Sequence, residues 1–151
     1  MTICVLIFAI CFLYGQDQDT KTPTSGMKLE LDGSAVDWDG SGILQESGGR
    51  GIKIPGYNTI YFPAHTLTVP ITLYNPEGNI CYFVFELYIG EKEEPVYTSG
   101  YVEPGKAVTQ IHLLEKLSAG DYLLQIKINT YNLQTKTAMN SAVVKTDLIV
   151  R

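Results

Sequence analysis

The sequence predicts an all-β protein: an immunoglobulin-like antiparallel β-sandwich of about seven to eight strands, preceded by an N-terminal apolar segment. Three observations carry this. Beyond residue 51 apolar and polar residues alternate with period two, and no stretch sustains a 3.6-residue apolar stripe. Turn residues punctuate that pattern at short intervals. The composition, with 10 Tyr, 14 Gly and 7 Pro in 151 residues, suits strands joined by many turns.

The chain divides into three zones. Residues 1–15 contain the apolar run Ile3 to Tyr14, which ends abruptly at Gln16-Asp17-Gln18-Asp19. The run is as long as the apolar part of a signal peptide and shorter than the roughly 20 residues that span a bilayer. No basic residue precedes it, the first being Lys21, and Leu13 stands where cleavage after Gly15 would prefer a small side chain. Cys11 lacks the small residue before it that lipid attachment needs, because Ile10 stands there. A truncated membrane anchor, an atypical cleaved signal and a buried element of the domain are the three readings; the first two agree on export. Residues 16–50, rich in Gly, Ser, Thr and Asp, bury too little to offset their ordering entropy and read as a flexible polar tether. Met27 to Leu31 alternates briefly, and Trp38 is the one large anchor, expected to pack back onto the domain.

Residues 51–151 form the sandwich, with strands expected at Gly51–Ile54, Thr59–Phe62, Thr68–Tyr74, Ile80–Ile89, Val96–Ser99, Ala107–Leu114, Tyr122–Tyr131 and Ala142–Val150. Leu113 to Ala119 holds at most one helical turn. Asn75-Pro76-Glu77-Gly78-Asn79 has hairpin chemistry, Glu103-Pro104-Gly105-Lys106 is a second such turn and Ser118-Ala119-Gly120-Asp121 closes a third connection. Tyr122, Leu124, Ile126 and Ile128 form one face of their strand; Gln125, Lys127 and Asn129 form the other, with Leu123 the exception. Pro70 cannot donate to a ladder, which places Thr68–Tyr74 at an edge or at a bulge. Ile80–Ile89 is apolar on both faces, as a central strand is, and its Cys81 reads as a buried, inert thiol. Leu117 to Leu124 resembles the tyrosine corner of immunoglobulin-like domains, with Tyr122 two residues before the core position Leu124. The cysteine pair and core Trp of antibody domains are missing.

Ile54-Pro55-Gly56-Tyr57, Leu73 to Phe83, Ser99-Gly100, Glu103 to Lys106 and Leu117 with Ala119 to Tyr122 together resemble a family of small, uncharacterised, membrane-anchored proteins of Gram-positive bacteria. The resemblance spans residues 37–151. Members begin with a basic cluster and a full anchor helix, which implies a start set inside a longer anchor. It implies location and fold and carries over no activity.

Chemistry-bearing motifs are sparse. The net charge of −5 and a pI of 4.9 argue against nucleic acid as a partner. Asp37-Trp38-Asp39-Gly40-Ser41-Gly42-Ile43-Leu44 has the opening pattern of a Ca²⁺ loop, but Gly48 stands where the bidentate Glu belongs, so it reads as a solvated acidic turn. Glu91-Lys92-Glu93-Glu94 reads as a charged hairpin tip. No zinc spacing, phosphate cradle, dinucleotide fingerprint or serine-nucleophile motif is present, and neither His65 nor His112 shares a motif with Cys81. No catalytic, cofactor-binding or metal-binding residue is assigned, no cofactor is expected, and the protein is not expected to be an enzyme. Tyr57, Tyr61, Tyr97 and Tyr101 are candidates for an exposed aromatic platform, against ordinary use in strands and core. The expected function is that of a membrane-anchored extracellular binding or assembly module of the cell envelope, with a protein partner at the cell surface. The alternative is a carbohydrate-binding module for cell-wall or host glycans that stacks on Tyr side chains and Trp38. Membrane contact is expected through the N-terminal segment alone, or secretion if that segment is cleaved.

Overall fold

The structure, a computed structural model, describes residues 29–45 and 51–151. The apolar run and the remainder of the expected tether lie outside the described residues. Among those described there are ten strands and no helix, so none is long and apolar enough to cross a membrane.

The strands are β1 (Val36–Asp37), β2 (Leu44–Gln45), β3 (Pro55–Gly56), β4 (Ile60–Phe62), β5 (Thr68–Asn75), β6 (Cys81–Ile89), β7 (Tyr97–Thr98), β8 (Lys106–His112), β9 (Gly120–Asn132) and β10 (Ala138–Val150). A five-stranded sheet runs β4-β10-β9-β6-β7 and faces a three-stranded sheet β1-β8-β5; β2 and β3 make a separate pair. Neighbours are antiparallel except β4, which lies parallel to β10 with Ile60 opposite Leu148.

The core fills the space between the sheets. Val69 and Leu73 of β5 and Val108 and Ile111 of β8 meet Phe83, Phe85 and Leu87 of β6, Leu124, Ile126 and Ile128 of β9, and Leu148 and Val150 of β10. Period-two alternation aims the residues of β5, β6, β9 and β10 inward, the inner face predicted for β6 and β9, whereas Val108 and Ile111 of β8 lie three apart across the register shift of the β5–β8 ladder. Leu123, the exception in β9, points outward and is 44% exposed. Pro70 meets both of its conditions: β5 is an edge strand, and its ladder to β8 shifts register between Pro70 and Leu73.

Three expectations are corrected. Gly51–Ile54 is not a strand, because Asn79 captures the backbone there. Its Oδ1 accepts from Lys53 N at 2.8 Å and its Nδ2 donates to Lys53 O at 2.9 Å, standing in for a ladder neighbour. Asn75–Asn79 does not close a hairpin, because β5 and β6 belong to opposite sheets and the turn crosses between them. Leu113 to Ala119 contains bends and no helical turn.

Over residues 29–45 the expected tether is replaced by chain held against the sandwich. Val36 and Asp37 pair with Ala107 and Lys106 at the edge of β8, and Leu31 bridges in parallel to Tyr101. Asp32 holds the crossing between them: its Oδ2 accepts from Gly100 N at 2.9 Å, and its own N donates to Tyr101 O at 2.9 Å. Gly100 is required by this close approach, since a Cβ there would stand 2.7 Å from Glu30 O. Satisfied backbone groups order this polar segment where buried apolar area does not.

Candidate binding face

The outer face of the five-stranded sheet presents the alternate residues of β6, β9 and β10, and register sorts them into rows. Tyr82 lies opposite Tyr131 and Ala138, and Val84 opposite Asn129 and Ser141. Glu86 lies opposite Lys127 and Val143, and Tyr88 opposite Gln125 and Lys145. The chemistry therefore changes along the sheet, from aromatic at one end to charged in the middle and mixed at the other.

Glu86 is the hub of the middle rows. Its Oε2 accepts from Lys127 Nζ at 2.9 Å and from the Tyr88 hydroxyl at 2.7 Å. Partial burial alone would raise the Glu86 pKa, but the hydrogen bonds from Lys127 and Tyr88 and the lysine charge outweigh it and hold the carboxyl below its usual range. Tyr88 is pushed up to about 12, first by desolvation and then by the Glu86 carboxylate that accepts its proton. Both groups are thus fixed in one protonation state at neutral pH, forming a preset donor and acceptor surface. Beside it, Val143 is 53% exposed, and Val143, Gln125, Lys127 and Tyr88 border a shallow depression completed by Lys92 and Glu93.

At the aromatic end, Tyr101 packs between Tyr82 (centroids 5.2 Å apart, rings tilted by 39°) and Tyr131 (5.1 Å, edge-to-face at 76°), and Lys136 Nζ lies 5.3 Å over the Tyr101 ring. Tyr101 is 7% exposed, and its backbone N donates to Glu30 O at 2.8 Å. The N-terminal crossing thereby fixes the centre of the aromatic cluster.

Of the two uses open to the four candidate tyrosines, the platform is not assembled and strand and core use prevails. Tyr61 is 63% exposed and stands on β4, Tyr57 and Tyr97 pack against the core, and Tyr101 is buried. Burial pushes the hydroxyls of Tyr57 and Tyr97 well above the ordinary phenol range, and Tyr57 Oη has no hydrogen-bond partner among the described residues. Reasoning from strand ends and turns missed Tyr82, Tyr88 and Tyr131. The signal that finds them is cross-strand register, which needs the β6–β9 pairing rather than either strand by itself.

Trp38 is half-buried beside the second turn. Its backbone N donates to Gly105 O at 2.9 Å and its indole Nε1 to Ser41 O at 3.1 Å. Asp37, Asp39, Ser41 and Glu77 line a depression with it. Asp39 Oδ1 accepts from Ser41 N at 2.9 Å, and the hydrogen bonds from Ser41 lower its pKa. Among the described residues no three His, Cys, Asp or Glu side chains are grouped to hold a metal ion. Glu91 to Glu94 are exposed between β6 and β7, where Lys92 pairs with Glu115. Cys81 is a free, fully buried thiol whose pKa is raised by desolvation.

The tyrosine corner is formed. The Tyr122 hydroxyl donates to Ser118 O at 2.9 Å, and the ring passes so close to Gly120 that a Cβ there would meet it at 3.3 Å. With two facing sheets, the edge strand β4 parallel to the last strand β10 and this corner, the chain is an immunoglobulin-like β-sandwich. No protein-family model and no curated protein matches the sequence. Among solved structures the chain is similar to NK cell receptor NKp44, described as a triggering partner in natural cytotoxicity. The identity is 14%, covering 62% of this chain and 97% of that one, with a TM-score of 0.33. The fold class rests on the strand order and the corner.

Proposed function

We propose that the protein is a non-catalytic, membrane-anchored extracellular module that binds a protein partner or assembles at the Gram-positive cell envelope. The observation that carries this reading is the outer face of β6, β9 and β10. There the Glu86–Lys127–Tyr88 network lies beside exposed Val143 and Leu123, and no described strand covers it. A flat surface with a preset polar centre and apolar neighbours suits a protein partner. The apolar run Ile3 to Tyr14 and the family resemblance support export and anchoring.

The test is photo-crosslinking on intact cells from a probe at Val143, with Lys127→Glu as the comparison. Capture of a defined envelope protein, lost in Lys127→Glu, supports the reading. Labelling of lipid alone, or capture indifferent to Lys127, removes it. Membrane fractionation of the full-length chain checks the anchor separately.

A carbohydrate-binding reading is favoured by one observation, the Trp38 indole lining a depression with Asp37, Asp39, Ser41 and Glu77. Glycan-array binding lost in Trp38→Ala would place it ahead of the protein-partner reading.

A further inference from the structure

β10 is paired along its whole length on one side and along a small part on the other. β9 follows it throughout, whereas β4 reaches only Leu148, Ile149 and Val150. The direction of the unused backbone groups follows from two bonds just past its end. Arg151 N donates to Phe62 O at 3.1 Å and Arg151 O accepts from Ala64 N at 2.8 Å, so both groups of Arg151 point towards β4. Backbone groups alternate along a strand, so the N–H and C=O of Lys145, Val143 and Ser141 point the same way. No described backbone group bonds them there.

An open edge of this length is ordinarily blocked. The other edges of the two main sheets are: β5 carries Pro70 and a register shift, and β1, β4 and β7 are two or three residues long. Residues 136–145 read KTAMNSAVVK, with no proline, no carboxylate and a lysine at each end. Their one irregularity is a shift between Ala138 and Ser141.

We propose that this edge receives an extended, acidic strand from another polypeptide, which occupies the column of β4 end to end with it and adds a strand to the five-stranded sheet. Backbone hydrogen bonds to Ser141, Val143 and Lys145 supply affinity, and the exposed Lys145 selects a carboxylate on the same face of the incoming strand. A second copy fits less well. Two identical edges must pair about a two-fold axis, and each copy's β4 must clear the other's β9–β10 turn. That centres the axis near residue 140 and sets Lys145 against Lys136 twice, and like charges directly opposite are destabilising. The inference deepens the binding reading and rests on it, naming the form of the partner.

The probe is the peptide acetyl-Thr-Glu-Val-Glu-Val-Glu-Thr, with its Lys-for-Glu counterpart as control, added to the full-length protein. Binding is followed by fluorescence anisotropy and by amide exchange at Ser141, Val143 and Lys145. These amides exchange fast in the free protein and slow when the acidic peptide is bound. Val143→Pro removes an outward N–H and no ladder bond to β9; it keeps the fold and weakens binding about tenfold. Lys145→Glu leaves the backbone untouched and reverses the preference towards the basic peptide. The proposal is overturned by amides already protected in the free protein, by no binding at millimolar peptide, or by equal binding of both peptides. It is also overturned by a dimer that Val143→Pro dissociates, which assigns the edge to a second copy. Cellular capture that survives Val143→Pro but not Lys127→Glu removes this inference and leaves the broader reading standing.

Discussion

Asn75→Ala tests whether the crossing between the sheets is held by a side chain rather than by its Pro and Gly. Asn75 is fully buried; its Nδ2 donates to Cys81 O and to Val102 O, each at 2.9 Å, and its Oδ1 accepts from Asn79 Nδ2 at 2.9 Å. The substitution removes all three bonds, at about 1 kcal/mol each. The partners then fare differently. Val102 O keeps the Phe83 N–H at 3.0 Å and Asn79 Nδ2 keeps Lys53 O, whereas Cys81 O, which points away from β9, loses its donor. One orphaned buried carbonyl adds roughly 1 kcal/mol or more, for a total of about 4 kcal/mol. With a urea slope of about 1.5 kcal/mol per molar, the unfolding midpoint falls by roughly 2–3 M at unchanged slope. Asn79→Ala in the same background gives a double-mutant cycle, and coupling of about 1 kcal/mol is expected. A loss below about 1 kcal/mol for Asn75→Ala at unchanged slope would mean that the turn residues alone account for the crossing and that the side chain does not hold it.

Three further outcomes follow from the geometry. Gly100→Ala drives a Cβ against Glu30 O and Asp32, so the amides of Asp32 and Tyr101 exchange faster and stability falls by about 1–3 kcal/mol; unchanged exchange at both refutes the close contact. Tyr122→Phe loses the corner bond to Ser118 O and costs about 1 kcal/mol in chemical denaturation, while Tyr61→Phe, on an exposed ring, costs nothing measurable. Phenolate absorbance shows Tyr88 ionising near pH 12, and Glu86→Gln brings it back towards the ordinary value of 10.0. The folded state holds that proton more tightly than the unfolded one. Its contribution to stability is therefore full below about pH 10 and is lost as pH rises to about 12.

How much of this was legible in the sequence depended on how local the cause was. The inner faces of β6 and β9 could be read directly, because period-two alternation is a property of one strand, and Pro70 announced its edge because its missing N–H is intrinsic. The tyrosine corner was legible for the same reason, spanning only Ser118 to Tyr122. Lys53 was misread because its backbone partner is the side chain of Asn79, far along the chain. The Asn75–Asn79 turn has the same composition whether it joins neighbours in one sheet or crosses between two. The candidate face was least legible: Glu86, Tyr88 and Lys127 look like ordinary outward residues until register sets them together.

The parallel pairing of β4 with β10 joins residues 60–62 to residues 148–150, far apart in the chain. A chain emerging residue by residue, from a ribosome or through a translocation pore, therefore cannot close this fold until Val150 is out. Until then the Gly120 end of β9 has no neighbour on one side, and the cleft that Leu148 and Val150 fill stands open to water. Such a topology folds slowly, because its closing contact joins strands far apart in the chain. The interval before closure is when the nascent protein most needs protection from aggregation.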